Sequence, residues 1–146
     1  MNFITKTFQE LTTTELYQIL QLRSDVFVVE QDCVYQDIDF KDQKALHILG
    51  FKEDKIIAYT RVFKPRDYFD NASIGRVVVQ EKQRKFGYGY HLMEASIATI
   101  KENFKVDKIT ISAQVYLTKF YNSLGFKQVG TQYLEDGIPH IRMDRC

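Results

Sequence analysis

One stretch combines the residue types and spacing that hold an anion: Val77-Val78-Val79-Gln80-Glu81-Lys82-Gln83-Arg84-Lys85-Phe86-Gly87-Tyr88-Gly89. A β-branched run leads into a basic turn with two glycines, and the turn runs straight into a helical pattern. At such a junction the first helical N–H groups have no intrahelical acceptors, and the helix dipole adds positive potential. A pyrophosphate fits that geometry. Gly87 and Gly89 leave the main chain bare for close approach, and Arg84 and Lys85 add charge beside it. The same residues also fit a plainer description, a helix start with glycines and solvated basic side chains. Two other phosphate loops are excluded. Tyr90, His91 and Leu92 follow Gly89, so the third glycine of a dinucleotide fingerprint is missing, and no Gly-Lys-Ser/Thr occurs.

Few other groups suggest chemistry on their own. His47, His91 and His140 lack ligand-type spacing, so no metal site is expected. Cys33 and Cys146 are too few for a disulfide scaffold and suit a reducing cytoplasm. Cys33 lies in a polar segment without an adjacent histidine, which argues against a nucleophile. Twenty Lys plus Arg against 19 Asp plus Glu leave a net charge of +1, without the basic excess of a nucleic-acid binder. With 45% hydrophobic and 27% charged residues in 146, the chain reads as one globular domain, residues 1–146. The N-terminus carries no apolar stretch behind a basic start, and no apolar run nears the roughly 20 residues of a membrane helix. A cytoplasmic protein is expected, and the Asn71-Ala72-Ser73 sequon is then chance.

The elements that must position the turn follow from periodicity. Residues 2–8 read as a strand, and Thr12-Thr13-Thr14-Glu15 spells a capping box. Leu16, Ile19, Leu20 and Phe27 continue that helix to about residue 28 or 30. Residues 32–44 are polar and aperiodic, hence a loop. Strands are predicted over 46–52, 56–63 and 73–79, the last buried on both faces because of Val77-Val78-Val79. A polar, basic stretch over 80–86 precedes a helix marked by Gly89, Met93, Ile97, Ile100 and Phe104. A strand over 108–113, a short helix ending at Gly125, and strands over 126–134 and 138–143 joined by Asp136-Gly137 complete the chain. The order β-α-β-β-β-α-β-α-β-β implies a mixed α/β sheet covered by helices, with a parallel pair around the glycine-rich helix.

Arg84-Lys85-Phe86-Gly87-Tyr88-Gly89 resembles the Arg/Gln-x-x-Gly-x-Gly/Ala signature of the GCN5-related N-acetyltransferase (GNAT) superfamily. Ala113-Gln114 with Phe120-Tyr121-Asn122-Ser123-Leu124-Gly125-Phe126 resembles its second motif, and the likeness spans the whole chain. Val26-Phe27-Val28-Val29-Glu30-Gln31, Tyr35-Gln36-Asp37-Ile38-Asp39 and Asp136-Gly137-Ile138-Pro139-His140 are similar to its ElaA-like subgroup. Glu81, where many members carry proline, and Lys85-Phe86 depart from the pattern.

The resemblance implies an acyl-CoA N-acyltransferase fold with splayed parallel strands, and acetyl-CoA as co-substrate without a metal. Val77 and Val79 would bond the pantetheine arm, and residues 84–89 would hold the pyrophosphate. An N–H near Val79 would stabilise the oxyanion. Tyr121 falls where the family places a general acid, although its own neighbours fit a core aromatic equally. The proton of the attacking amine would go to Glu30, Asp37, Asp39, Glu81 or His140; Glu30, after an apolar helical stretch, is the preferred candidate. Arg76, inside an apolar strand, either pairs with a carboxylate or reaches the acceptor pocket with His140. The implied partner is a small-molecule or peptide amine, and a homodimer is expected only because dimers are common in the superfamily. The alternative is a non-catalytic acyl-CoA-binding or regulatory module on the same fold.

Overall fold

The computed structural model describes residues 1–146 and builds them around one seven-stranded sheet. Its strands are β1 (Asn2–Thr7), β2 (Leu46–Lys52), β3 (Lys55–Phe63), β4 (Ala72–Val79), β5 (Ile109–Gln114), β6 (Lys127–Glu135) and β7 (Ile138–Arg145). They lie in the order β1-β2-β3-β4-β5-β7-β6, and only the β4–β5 pair is parallel. The mixed α/β sheet is the one predicted. Helix α1 (Thr13–Arg23) starts with the Thr12–Glu15 capping box, both reciprocal bonds formed. It runs without a break into a π-helix over Ser24–Glu30, which carries it as far as predicted but with wider turns. Helix α2 (Tyr88–Phe104) follows β4, and the short α3 (Thr118–Asn122) follows β5. No helix is long and apolar enough to cross a membrane.

Strand alternation divides the core between the two faces of the sheet. Leu49, Tyr59 and Val78 pack under α1 against Ile19, Leu22 and Val26. Their neighbours Ile48, Ala58 and Val79 pack on the opposite face against Leu92, Met93 and Ile100 of α2. Val78 and Val79 thus meet different helices, as the β-branched run implied. The polar stretch over 80–86 is not a free turn: Glu81–Phe86 forms a 3-10 helix between β4 and α2.

Two irregularities in β4 shape the centre of the molecule. Across from β3, three steps of β4 (Val78 to Gly75) match two of β3 (Tyr59 to Arg61), so β4 carries a bulge. Arg76 sits in it with a φ of 51°, a conformation few side chains adopt. On its other edge, β4 pairs with β5 only at Ala72↔Ile109 and Ser73↔Thr110. Beyond those two positions the strands separate.

The segment over 32–44 is irregular, as predicted, but it is not a solvated loop. Asp37 and Asp42 are buried, and with Asp39 they face three arginines of the body. Arg23, itself fully buried, donates to Asp37 (3.0 Å) and Asp42 (2.8 Å). Arg61 of β3 donates to Asp42 (2.9 Å) and, through both terminal nitrogens, to Asp39 (2.8 and 2.6 Å). Arg76 places its Nε 2.8 Å from Asp37 and donates to the Asp37 carbonyl, so the bulge is held by the loop. Tyr35 completes Asp37 with a 2.6 Å bond. His47 is satisfied nearby: its Nε2–H donates to the Asp42 carbonyl (2.9 Å), so Nδ1 accepts from the Tyr59 hydroxyl (2.6 Å).

Removing one carboxylate should leave buried guanidinium charge unmatched. Asp42→Asn is expected to cost about 3–5 kcal/mol, read from the urea midpoint. Acid should act on the same cluster. Burial alone would raise the Asp39 carboxyl, but the Arg61 hydrogen bonds and the charges of Arg61 and Arg76 outweigh it and draw it to about 2. At Asp42 burial is likewise outweighed, by Arg23 and Arg61, and its carboxyl is also lowered. Both lie below the unfolded value of about 4, so their stabilisation is present above that pH and fades as pH falls from there toward 2. The urea midpoint should hold from neutral pH down to about 5 and then drop.

Candidate active site

The parting of β4 and β5 opens a cavity of about 520 Å³ through the middle of the sheet. Gly89 and Arg84 line one end, the residues of β4 from Ser73 to Val79 form one wall, and Ile111, Ser112 and Gln114 of β5 form the other. Tyr121, Phe120 and Leu117 also line it, as do Phe27 and Glu30 of the π-helix and Gln31 just after it.

The sequence-predicted anion turn stands at the mouth. Gly87 has a φ of 74°, which suits glycine, and it precedes α2 with no side-chain cap. The helical bond from His91 N–H reaches back to the Gly87 carbonyl (3.5 Å), so the N–H groups of Tyr88, Gly89 and Tyr90 precede it. A Cβ on Gly89 would meet the Phe120 ring at 3.7 Å, which ties the turn to α3. Lys85, Phe86 and Tyr88 do not line the cavity. Their side chains brace the turn from outside, with the Lys52 ammonium 4.7 Å from the Phe86 ring centre and 5.6 Å from that of Tyr88.

Val77 and Val79 present main chain to the gap. Gln80 N–H donates to Ile57 of β3 (2.8 Å), and the alternation of an extended chain turns the N–H groups of Val77 and Val79 the other way. The Val79 carbonyl accepts instead from Arg84 Nε (3.1 Å).

Arg84 is already occupied. Its two terminal nitrogens clasp the Glu30 carboxylate (2.6 and 2.8 Å), raising its pKa above the usual guanidinium value. Glu30, one of the proton acceptors the sequence offers, has both of its oxygens bound to this permanently charged group. Asp37 and Asp39 are similarly consumed by arginines, and Glu81 is exposed outside the cavity. Arg76 does both things expected of it, pairing with Asp37 while lining the cavity.

Tyr121 is both core aromatic and cavity wall. Its ring packs edge-on against Phe120 and Phe126. Burial, with a smaller contribution from Tyr116, pushes its pKa well above that of a free phenol, so it keeps its proton at neutral pH. His140 is 7% exposed and lines the cavity. Sequence reasoning missed Glu135, Ser112 and Tyr133, which surround it. The hairpin register carried the signal: Glu135↔Ile138 and Tyr133↔His140 put all four on one face, and Gln114↔His140 brings the adjacent β5 face, with Ser112, to them.

Comparison with known proteins agrees with this geometry. The model of the acetyltransferase (GNAT) domain family matches residues 10–145. The chain is 45% identical to the protein ElaA of Escherichia coli (strain K12) over 138 residues, covering 93% of this chain and 90% of ElaA. It is 42% identical over 145 residues to a UPF0039 protein of Schizosaccharomyces pombe, covering 98% and 95% of the two chains. The crystal structure of an acyl-CoA N-acyltransferase from Pseudomonas aeruginosa superposes with a TM-score of 0.94 at 37% identity, over the full length of both chains.

Glu30→Gln separates positioning from proton abstraction. The pair is partly open to solvent, so the variant should lose less than about 1 kcal/mol in urea unfolding. Its pH–rate profile for acyl transfer should keep the wild-type shape; loss of one limb would restore Glu30 as the base.

Proposed function

Because the chain belongs to the GNAT acetyltransferase family, whose members transfer acyl groups from acyl-CoA, we propose that it moves acetyl from acetyl-CoA to a primary amine by direct attack in a ternary complex. The observation that carries this reading is the β4–β5 gap, an unpaired strand edge joining the bare helix start at Gly87–Gly89 to the phenol of Tyr121.

In this reading the pyrophosphate rests on the main chain of residues 84–89, where uncapped N–H groups and the helix dipole face it. Arg84, fixed by Glu30 and the Val79 carbonyl, shapes the turn. The pantetheine amides pair with the open edge at Val77 and Val79, as a further strand would. That contact slides the thioester toward Tyr121. The amine arrives as an ammonium and must first lose a proton, since its pKa near 10.4 leaves it mostly charged at pH 7. Its lone pair then adds to the thioester carbonyl, and the Val79 N–H stabilises the oxyanion. As the C–S bond breaks, Tyr121 gives its proton to sulfur and regains one from the nascent amide nitrogen. The products are N-acetyl amine, free coenzyme A and the proton lost at the start. A cytoplasmic setting, with both cysteines as free thiols, goes with this chemistry.

Tyr121→Phe should lower kcat by about 100-fold or more while leaving acetyl-CoA KM near wild type, measured by free-thiol release with an amine panel. Wild-type turnover in that variant would remove the acid role. Gly89→Leu should fold, because the neighbouring contact is the edge of the Phe120 ring. It should abolish coenzyme A binding in calorimetry, and unchanged affinity would remove the phosphate turn.

A further inference from the structure

His47 and His140 differ in one respect that bears on the amine. Both ring nitrogens of His47 have partners of the correct polarity. In His140, Nδ1 lies 2.7 Å from the Ile138 carbonyl, which only accepts, so Nδ1 carries the proton. While the ring is neutral, Nε2 is then a lone pair. What faces it, 3.4 Å away, is Oε2 of Glu135, another acceptor. Glu135 is oriented from its other side: Oε1 accepts from the Ser112 hydroxyl (3.1 Å), which is bonded in turn to the Tyr133 hydroxyl. In that form two acceptors face each other, and a proton delivered to Nε2 turns them into an ion pair.

The charges around the cavity sharpen this. Arg23, Arg61, Arg76 and Arg84 are matched by Asp37, Asp39, Asp42 and Glu30. Glu135 and Asp136, both in the lining, have no Lys or Arg partner. The wall they form is therefore anionic, and the imidazole beside Glu135 is more than nine-tenths buried.

We propose that Glu135 and His140 form the site that receives the acceptor as an ammonium ion and takes its proton, which makes the acceptor a positively charged amine. This rests on the acetyl-transfer reading above. The ammonium approaches from the cavity side and donates to both Oε2 and Nε2. One N–H bond breaks, its proton forms a new bond to Nε2, and the electron pair left on nitrogen attacks the thioester. Glu135 stabilises the resulting imidazolium, which later gives its proton to solvent. Glu135 also sets specificity, since it favours a cation over a neutral or acidic acceptor.

Two arms test this on the full-length protein. In the first, benzylammonium is titrated into the coenzyme A-loaded protein and followed at the His140 imidazole NMR signals. Glu135→Gln should weaken binding roughly tenfold while coenzyme A affinity stays unchanged. In the second, acetyl transfer to benzylamine is compared with transfer to methoxyamine, which is already unprotonated at neutral pH. Glu135→Gln and His140→Gln should lower kcat/KM for benzylamine by about 100-fold, and for methoxyamine by no more than about fivefold. Equal losses for the two nucleophiles, or wild-type benzylammonium affinity in Glu135→Gln, would overturn the proposal. If the wild type acetylates neither nucleophile while benzylammonium binding still depends on Glu135, the acetyl-transfer reading fails and the ammonium site stands.

Discussion

A strand edge left open inside the molecule governs the rest of this structure. Buried main-chain N–H and C=O groups are costly without partners. β4 nevertheless pairs with β5 at two positions and then leaves it. Such an edge is stable only where something of strand-like chemistry fills it or where the walls hold it apart. A pantetheine arm, with its two amides, is of that chemistry. The proposed binding of an extended amide-bearing ligand rests on this parting rather than on any single side chain.

Holding the strands apart takes a scaffold, and the ion cluster supplies it. Arg76 occupies a left-handed conformation in the β4 bulge, a strain of order 1–2 kcal/mol. It persists because Asp37 grips the side chain, Arg23 and Tyr35 grip Asp37, and Asp42 ties Arg23 to Arg61. The cluster is electrically balanced, three arginines to three aspartates. It therefore fixes geometry without placing net charge beside the site. The Glu30–Arg84 clasp does the same at the mouth, joining the π-helix to the phosphate turn. With those charges paired, Glu135 and Asp136 are left in the cavity wall without a lysine or arginine partner.

Parts of the site were legible because they are local. The turn from Arg84 to Gly89 works through main-chain N–H groups, glycine conformations and a helix start, and each is a property of a few consecutive residues. The Thr12–Glu15 capping box and the Asp136-Gly137 hairpin turn were legible for the same reason. Tyr121 was legible through resemblance, since its own neighbours fit a core aromatic as well as a cavity wall. The structure makes it both.

The sequence by itself determined the order of elements, the two-faced core of Val77-Val78-Val79, and the glycine turn that opens α2, because periodicity and turn chemistry act over one or two helical turns. It could not tell which carboxylates stand against a guanidinium and which do not. Glu30, Asp37 and Asp39 looked available as bases, and Glu135 looked like part of a turn. Only the tertiary structure decided, since a carboxylate is occupied or free according to which cation stands beside it. Those cations come from far along the chain: Arg84 for Glu30, Arg61 for Asp39, Arg76 for Asp37. Glu135 faces Nε2 of His140 instead, because the hairpin register placed His140 on the same face and the Ile138 carbonyl claimed the other nitrogen.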